Sequence, residues 1–369
     1  MLDASKADTK QIFDMINNWL DTFIDVERNP LMAGYDLKEE SYIQKQLTED
    51  DLWSIFSGMF SSKVSHDTSY KYGFFKSILD SLYNADENLV LTFDQLFYKF
   101  TEIYWNLVLK YNLRQKAKTK DGRETSLERV LKEALNKQEI IADVSFEAIS
   151  DEMKIKISHK VKMKCKENVV GALFGDSKHT LYSFSKKSEY IQLNPLVYAF
   201  MTKHKIILEK MNYFEWAKYL EKVNEKSSTR NLLNNLDTIT FRSDLSVYRR
   251  ILFEEFEERS CFYCGKELKY GDIHVDHFIP WSFIKDDSLW NLVLSCPQCN
   301  RKKSDKLTPE LFVNHLIKRN HIILEKDADQ ISKSYQDQKL RLIYYWAKCN
   351  GYHEIWTPGR KVRTLEKIQ

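Results

Sequence analysis

At 369 residues the chain is too long for one compact core, so two or three domains are expected. Glycine (10) and proline (6) are scarce, which favours long helices. No apolar run approaches the roughly 18–20 residues of a bilayer span, and the opening MLDASKADTK lacks a basic-then-apolar leader, so a cytoplasmic protein without a membrane partner is expected. The formal net charge of +3 is too small to identify a polyanion binder, which needs a local basic surface instead.

In chain order, Gln11–Asp25 places Ile12, Ile16, Leu20 and Ile24 on one helical stripe, within an acidic opening of 12 acids against 5 bases over residues 1–51. Phe93–Tyr111 repeats the helical pattern with bulky aromatics. Leu113–Gln138 reads as a boundary: an Asp121-Gly122 turn, then a helix opened by a Thr125/Glu128 capping box. Six lysines between 154 and 166 alternate with apolar residues, which fits a strand with one cationic face. The same letters fit a lysine-rich helix with Met153, Ile157, Val161 and Cys165 four apart. Either way the stretch is a candidate phosphate-binding surface, or a solvated lysine face. Helices are expected over Leu196–Met211, over Tyr213–Glu225 with Phe214, Ala217, Leu220 and Val223 inward, and over Asp244–Arg259. Thr308-Pro309-Glu310 opens another, and Ile343–Trp346 reads as an aromatic core cluster. His179, His204 and His353 read as structural or surface histidines, and Cys165 and Cys349 as small buried hydrophobes.

The chemistry concentrates between Cys261 and Lys306. Cys261/Cys264 and Cys296/Cys299 form two CxxC pairs, the spacing with which two tight knuckles complete a tetrahedral four-thiolate zinc site. With every position filled by protein, that zinc is structural. Between the pairs, Ile273–Pro280 alternates and stops at a proline, as a strand ending in a turn does. Asp276 and His277 are adjacent there, so an extended backbone aims them to opposite sides. Asn300 follows the last cysteine near the start of a helix expected over Pro297–Lys306. Carboxylate and amide oxygens suit a hard, magnesium-like ion.

These residues together resemble the HNH nucleases, whose ββα-metal fold carries a DH pair, a mid-loop Asn and a final His or Asn. The V-D-H-F-I-P run, Trp290-Asn291-Leu292 and C-x-x-C-N-R-K-K appear in the family's order. The ending in Asn is similar to the HNH domain of the RNA-guided CRISPR nucleases. Leu181–Asn224 is loosely similar to helical regions that precede the domain in stand-alone bacterial members. The resemblance implies Asp276 and Asn300 as ligands of a catalytic Mg2+ or Mn2+. It implies His277 as general base, Asn291 as the brace of the base's loop, and Arg301 and Lys303 at the DNA backbone. Where some members have a third ligand this chain has Ser304. His274, two residues before Asp276, reads as a polar strand residue that could assist.

The expected fold is mainly α: a helical N-terminal region, a small zinc-stapled ββα-metal domain and C-terminal helices. The expected division is a helical domain at 1–113 and a basic helical domain at 114–245, DNA- or partner-binding. The nuclease domain with its zinc site follows at 246–320, and a C-terminal helical extension at 321–369. The implied activity is metal-dependent hydrolysis of DNA, in a restriction or anti-phage setting, with a partner protein or second copy as further partners. A zinc ribbon that binds nucleic acid or protein without cutting is the alternative, and it would have no need of Asp276, His277, Asn291 and Asn300.

Overall fold

The computed structural model describes residues 41–43, 46–60, 67–117, 124–137, 144–229, 231–240, 244–326 and 335–359. The stripe over Gln11–Asp25 and the Asp121-Gly122 turn lie outside the described residues. Among the described residues the chain is mainly helical with two small sheets.

α1 (Glu49–Met59) opens on a capping box between Thr48 and Asp51. α2 (Tyr70–Ser81) is buried from Lys71 to Ser81, the pattern of a helix enclosed by others. β1 (Val90–Thr92) runs into α3 (Phe93–Trp105), which a Thr92/Gln95 box caps. The helix expected to reach Tyr111 continues only as a single π-type turn to Lys110. α2 and α3 pack so closely that a Cβ on Gly73 would lie 2.2 Å from the Tyr104 ring, which explains glycine there. α4 (Ser126–Lys137) starts at the expected box: Thr125 N–H donates to Glu128 Oε2 (2.7 Å) and Glu128 N–H to Thr125 Oγ1 (3.1 Å).

The lysine-rich stretch lies within one helix, α5 (Asp151–Asp176). Ile157, Val161 and Cys165 are buried on its stripe, while Ile155 and Met163 are 64% and 51% exposed. A strand would have had to turn those two inward with the rest. Four of the lysines are ion-paired internally: Lys154 with Asp151, Lys156 with Glu152, Lys162 with Asp94 and Glu189, and Lys166 with Glu189. Only part of the expected cationic face is therefore unneutralised.

β2 (Tyr182–Ser185) and β3 (Tyr190–Leu193) form a hairpin, and β3 pairs with β1 on its other edge, giving an antiparallel order β1-β3-β2. α6 (Pro195–Lys203) starts at an Asn194 cap with proline in its first turn and breaks at His204, where α7 (Lys205–Val223) begins. The break thus falls earlier than expected. Phe214 is 56% exposed rather than inward, and Trp216, Ala217 and Leu220 form the buried stripe. α8 (Leu232–Asp237) follows. Asp244–Arg259 is not one helix but α9 (Ser246–Arg250) and a π-type turn to Glu255.

The remaining elements are β4 (His274–His277), α10 (Trp281–Ile284), β5 (Leu292–Ser295), α11 (Pro297–Lys303), α12 (Leu311–Lys326) and α13 (Asp337–Cys349). In the expected aromatic cluster Ile343 and Tyr344 are buried, whereas Tyr345 is exposed. Cys165 is buried, but Cys349 is exposed at the end of α13. Buried apolar side chains form one contiguous cluster from Leu52 to Ala347, so the cysteine-bearing segment packs against the helical body. Inside that body the Lys76 ammonium meets Asp80 (2.5 Å) and Glu209 (3.0 Å), a paired arrangement that keeps the charges tolerable away from water. No helix among the described residues is long and apolar enough to cross a membrane.

Candidate active site and metal centre

The four paired cysteines come together. Their Sγ atoms all lie within 4.8 Å of one another, and three of the four residues are buried. The backbone makes this possible in two different ways. At the first knuckle Cys261 N–H donates to the Lys266 carbonyl, and Gly265 N–H donates back to the Cys261 carbonyl. Gly265 takes φ +66, a left-handed turn that glycine enters without strain. At the second, Cys296 caps α11, Pro297 fills its first position, and Asn300 N–H donates to the Cys296 carbonyl. A cluster of four thiolate-forming groups at this spacing is compatible with a structural zinc ion.

Against that staple β4 and β5 pair antiparallel, with His274 opposite Ser295, Asp276 opposite Val293 and His277 opposite Leu292. α11 packs on β4, so strand, strand and helix make a ββα unit. The helix ends at Lys303, earlier than the expected Lys306. A cleft of about 230 Å³ opens between its elements, lined by Asp276, His277, Pro280, Trp281, Asn300, Arg301, Ser304 and Asp305. The sequence motif thus converges on one surface.

Asp276, His277 and Asn300 are each held by a different part of the chain. Asp276 is 8% exposed, and its Oδ2 accepts from the Tyr263 hydroxyl (2.5 Å) and pairs with the Lys303 ammonium (3.0 Å). Burial and the neighbouring Asp276 carboxylate hold the Tyr263 phenol well above its ordinary value, so it stays a donor. Oδ1 of Asp276 takes no hydrogen bond from the described residues. Lys303 was expected at the DNA backbone. Instead it is fully buried and also donates to the His277 carbonyl (2.7 Å), so it braces the site from inside. Arg301 is exposed at the cleft.

His277 points to a different partner, as adjacent residues on an extended chain should. Its Nε2 lies 2.7 Å from Asp287 Oδ1, with side-chain exposures of 5% and 13%. Asn291 is fully buried, accepting from Ile279 N–H and donating to the Ile279 carbonyl, both at 2.9 Å. Its own carbonyl accepts from Phe278 N–H at 2.8 Å. Those three bonds pin the two residues that follow His277. The Asn300 amide donates to His274 Nδ1 at 3.2 Å, which joins the outer residue of β4 to the helix.

Two acids that the motif reading missed belong to this surroundings. Asp305 lines the cleft beside Ser304, whose backbone (φ 48, ψ −127) turns the chain sharply out of α11. Asp287 touches His277 from the loop before β5. The only trace of either in the sequence is a polar residue near a turn, which many solvated positions share.

Among the residues lining the cleft, Asp276 and Asn300 each have an oxygen that accepts no hydrogen bond from a described residue and could hold a cation. Hard oxygen ligands of this kind fit a divalent ion such as magnesium or manganese. No curated protein and no solved structure matched the chain. Residues 261–309 match the HNH endonuclease family, a span that takes in both cysteine pairs and every residue lining the cleft. The chain therefore carries an HNH endonuclease domain at residues 261–309.

Proposed function

We propose that the protein is a metal-dependent DNA endonuclease that hydrolyses phosphodiester bonds at this cleft. The observation that carries the reading is the convergence of Asp276, His277, Asn300 and Arg301 on one solvent-facing surface beside a four-cysteine staple. Asp276 Oδ1 and Asn300 Oδ1 would hold a Mg2+ or Mn2+ ion, which when bound supplies charge neutralisation for the pentacoordinate phosphate and the departing 3′-oxygen. The zinc on Cys261, Cys264, Cys296 and Cys299 holds the shape and does no chemistry.

His277 takes a proton from the attacking water. A neutral imidazole with a free ring nitrogen is the side chain suited to this step. For that reason it must not itself ligate the cation, and its partner here is a carboxylate rather than the cation's ligands. Lys303 and Tyr263 fix Asp276 through Oδ2, leaving the other oxygen for the cleft. Asn291 keeps the turn after His277 in place. Exposed Arg301 meets the DNA backbone as an electrostatic anchor. The remaining helical body recognises DNA or a partner.

The test is nicking of supercoiled plasmid with Mg2+ or Mn2+ by wild type and His277→Ala. Nicking by wild type alone is expected, at a rate at least ~100-fold above the variant. Equal nicking by both proteins, or none by either under any divalent ion tried, overturns the catalytic reading and leaves a zinc-stapled binding module.

A further inference from the structure

We propose that Asp287 is a positioning residue for the base, and that the helical body outside the family match holds it in place. The inference rests on His277 acting as the base. Its starting point is the 2.7 Å contact between Asp287 Oδ1 and His277 Nε2, both side chains being largely withdrawn from solvent. An ionised carboxylate can only accept, so the contact places the imidazole proton on Nε2. The lone pair is then left at Nδ1, the nitrogen that takes no hydrogen bond from the described residues, on a side chain that lines the cleft. Without the carboxylate the ring is free to rotate or to carry its proton on the wrong nitrogen, and it no longer presents a base to the water.

The second observation is what holds the loop that carries Asp287. Residues 283–286 are gripped from three helical-body positions far away in sequence. The Lys205 ammonium, fully buried, donates to the carbonyls of Phe283 (2.6 Å) and Ile284 (3.3 Å). Lys99 donates to the Lys285 carbonyl (3.4 Å), and Asn84 Nδ2 donates to Asp286 Oδ1 (3.1 Å). Between these grips Lys285 takes a left-handed backbone (φ 60, ψ 30) that ends α10 and turns the chain towards Asp287. Ser288 N–H then ties back to Asp286 Oδ2 at 2.9 Å. None of the gripping residues lies in the 261–309 segment that carries the family match. The helical body therefore does more than carry the nuclease: it completes the alignment of its base.

The experiment compares Asp287→Asn, Asp287→Glu and Asn84→Ala with wild type in the full chain. The first readout needs no activity: 15N shifts of the His277 ring in histidine-labelled protein, assigned by its loss in His277→Gln. Wild type is expected to show the Nε2–H tautomer, Asp287→Asn a mixed or inverted pattern, and Asp287→Glu a substantially restored one. The second is steady-state plasmid nicking with Mn2+. Asp287→Asn should lower kcat by about 10–100-fold with KM unchanged, because Asp287 does not line the cleft. Asn84→Ala should lower kcat severalfold. An unchanged tautomer in Asp287→Asn, or kcat within about twofold of wild type in an active enzyme, overturns the role of Asp287. Unchanged kcat in Asn84→Ala overturns the contribution of the helical body. If wild type does not nick at all, the catalytic reading fails instead, and the ring shifts still decide whether Asp287 sets the tautomer.

Discussion

Asn291→Ala deletes an amide that serves one neighbour twice. In the wild type its oxygen accepts from Ile279 N–H and its nitrogen donates to the Ile279 carbonyl, both at 2.9 Å and both out of solvent. Alanine can replace neither bond, and the fully buried backbone of Ile279 has no water to turn to. Each orphaned group costs about 1–3 kcal/mol, so the loop after His277 should lose roughly 2–6 kcal/mol. The Phe278 N–H bond to the backbone carbonyl of residue 291 survives the substitution, so the loss is local. Asn291→Asp is a sharper probe, because it keeps the acceptor and sets a carboxylate oxygen against the Ile279 carbonyl. The assay is hydrogen exchange by mass spectrometry on the segment spanning 276–284. A loss of about 2 kcal/mol corresponds to about 30-fold faster exchange at Ile279. Exchange within about threefold of wild type in both variants would refute the claim that this side chain holds the turn.

Three other outcomes follow from the same geometry. Removing metal with a strong chelator under reducing conditions should loosen the two cysteine knuckles and lower the stability of the ββα unit, although the bond from Phe262 N–H to the Leu294 carbonyl remains; an unchanged near-UV spectrum and melting midpoint, or a folded chain that elemental analysis finds free of zinc, would contradict a structural zinc. Gly73→Ala should destabilise by about 1–3 kcal/mol or abolish folding, because the new methyl carbon would fall 2.2 Å from a fully buried Tyr104 ring held by Ser69; a denaturation midpoint equal to wild type would refute the packing. Burial raises the Glu102 carboxyl from 4.5 to about 7 against the pull of Lys99, so the folded state prefers it protonated. The stability this group contributes is full below pH 4.5 and drains away as pH rises through 7, a change of about 3 kcal/mol. Glu102→Gln should therefore gain on wild type between pH 5 and 8 in urea titrations, and parallel profiles would dismiss the effect.

The sequence was most legible where covalent spacing dictates geometry. Two CxxC knuckles can aim four sulfurs at one point wherever the intervening strands go, and the DH pair at a strand end needs only a local backbone. The Thr125/Glu128 cap is likewise a three-residue affair. Legibility failed where a partner arrives from afar. Lys303 reads as a surface cation on a basic helix turn, yet Asp276 and the His277 carbonyl draw it inward. Asp287 is one of two adjacent acids in a loop, and nothing local tells which of them faces an imidazole. The alternating lysines fitted two periods equally, and burial of Ile157 with exposure of Ile155 required the rest of the bundle to decide.

The ammonium of Lys303 also sets the electrostatic terms on which the cleft trades ions. It is a resident cation already seated on the Asp276 carboxylate, at 3.0 Å and out of reach of solvent. On the proposed reading, an arriving divalent ion meets a carboxylate already paired with an ammonium, so like charge stands behind its ligand. The free protein should then hold its ion loosely and exchange it fast, with the phosphate of the DNA supplying the missing attraction. Such a site idles without substrate, and its loading reports the presence of DNA as much as the concentration of the metal.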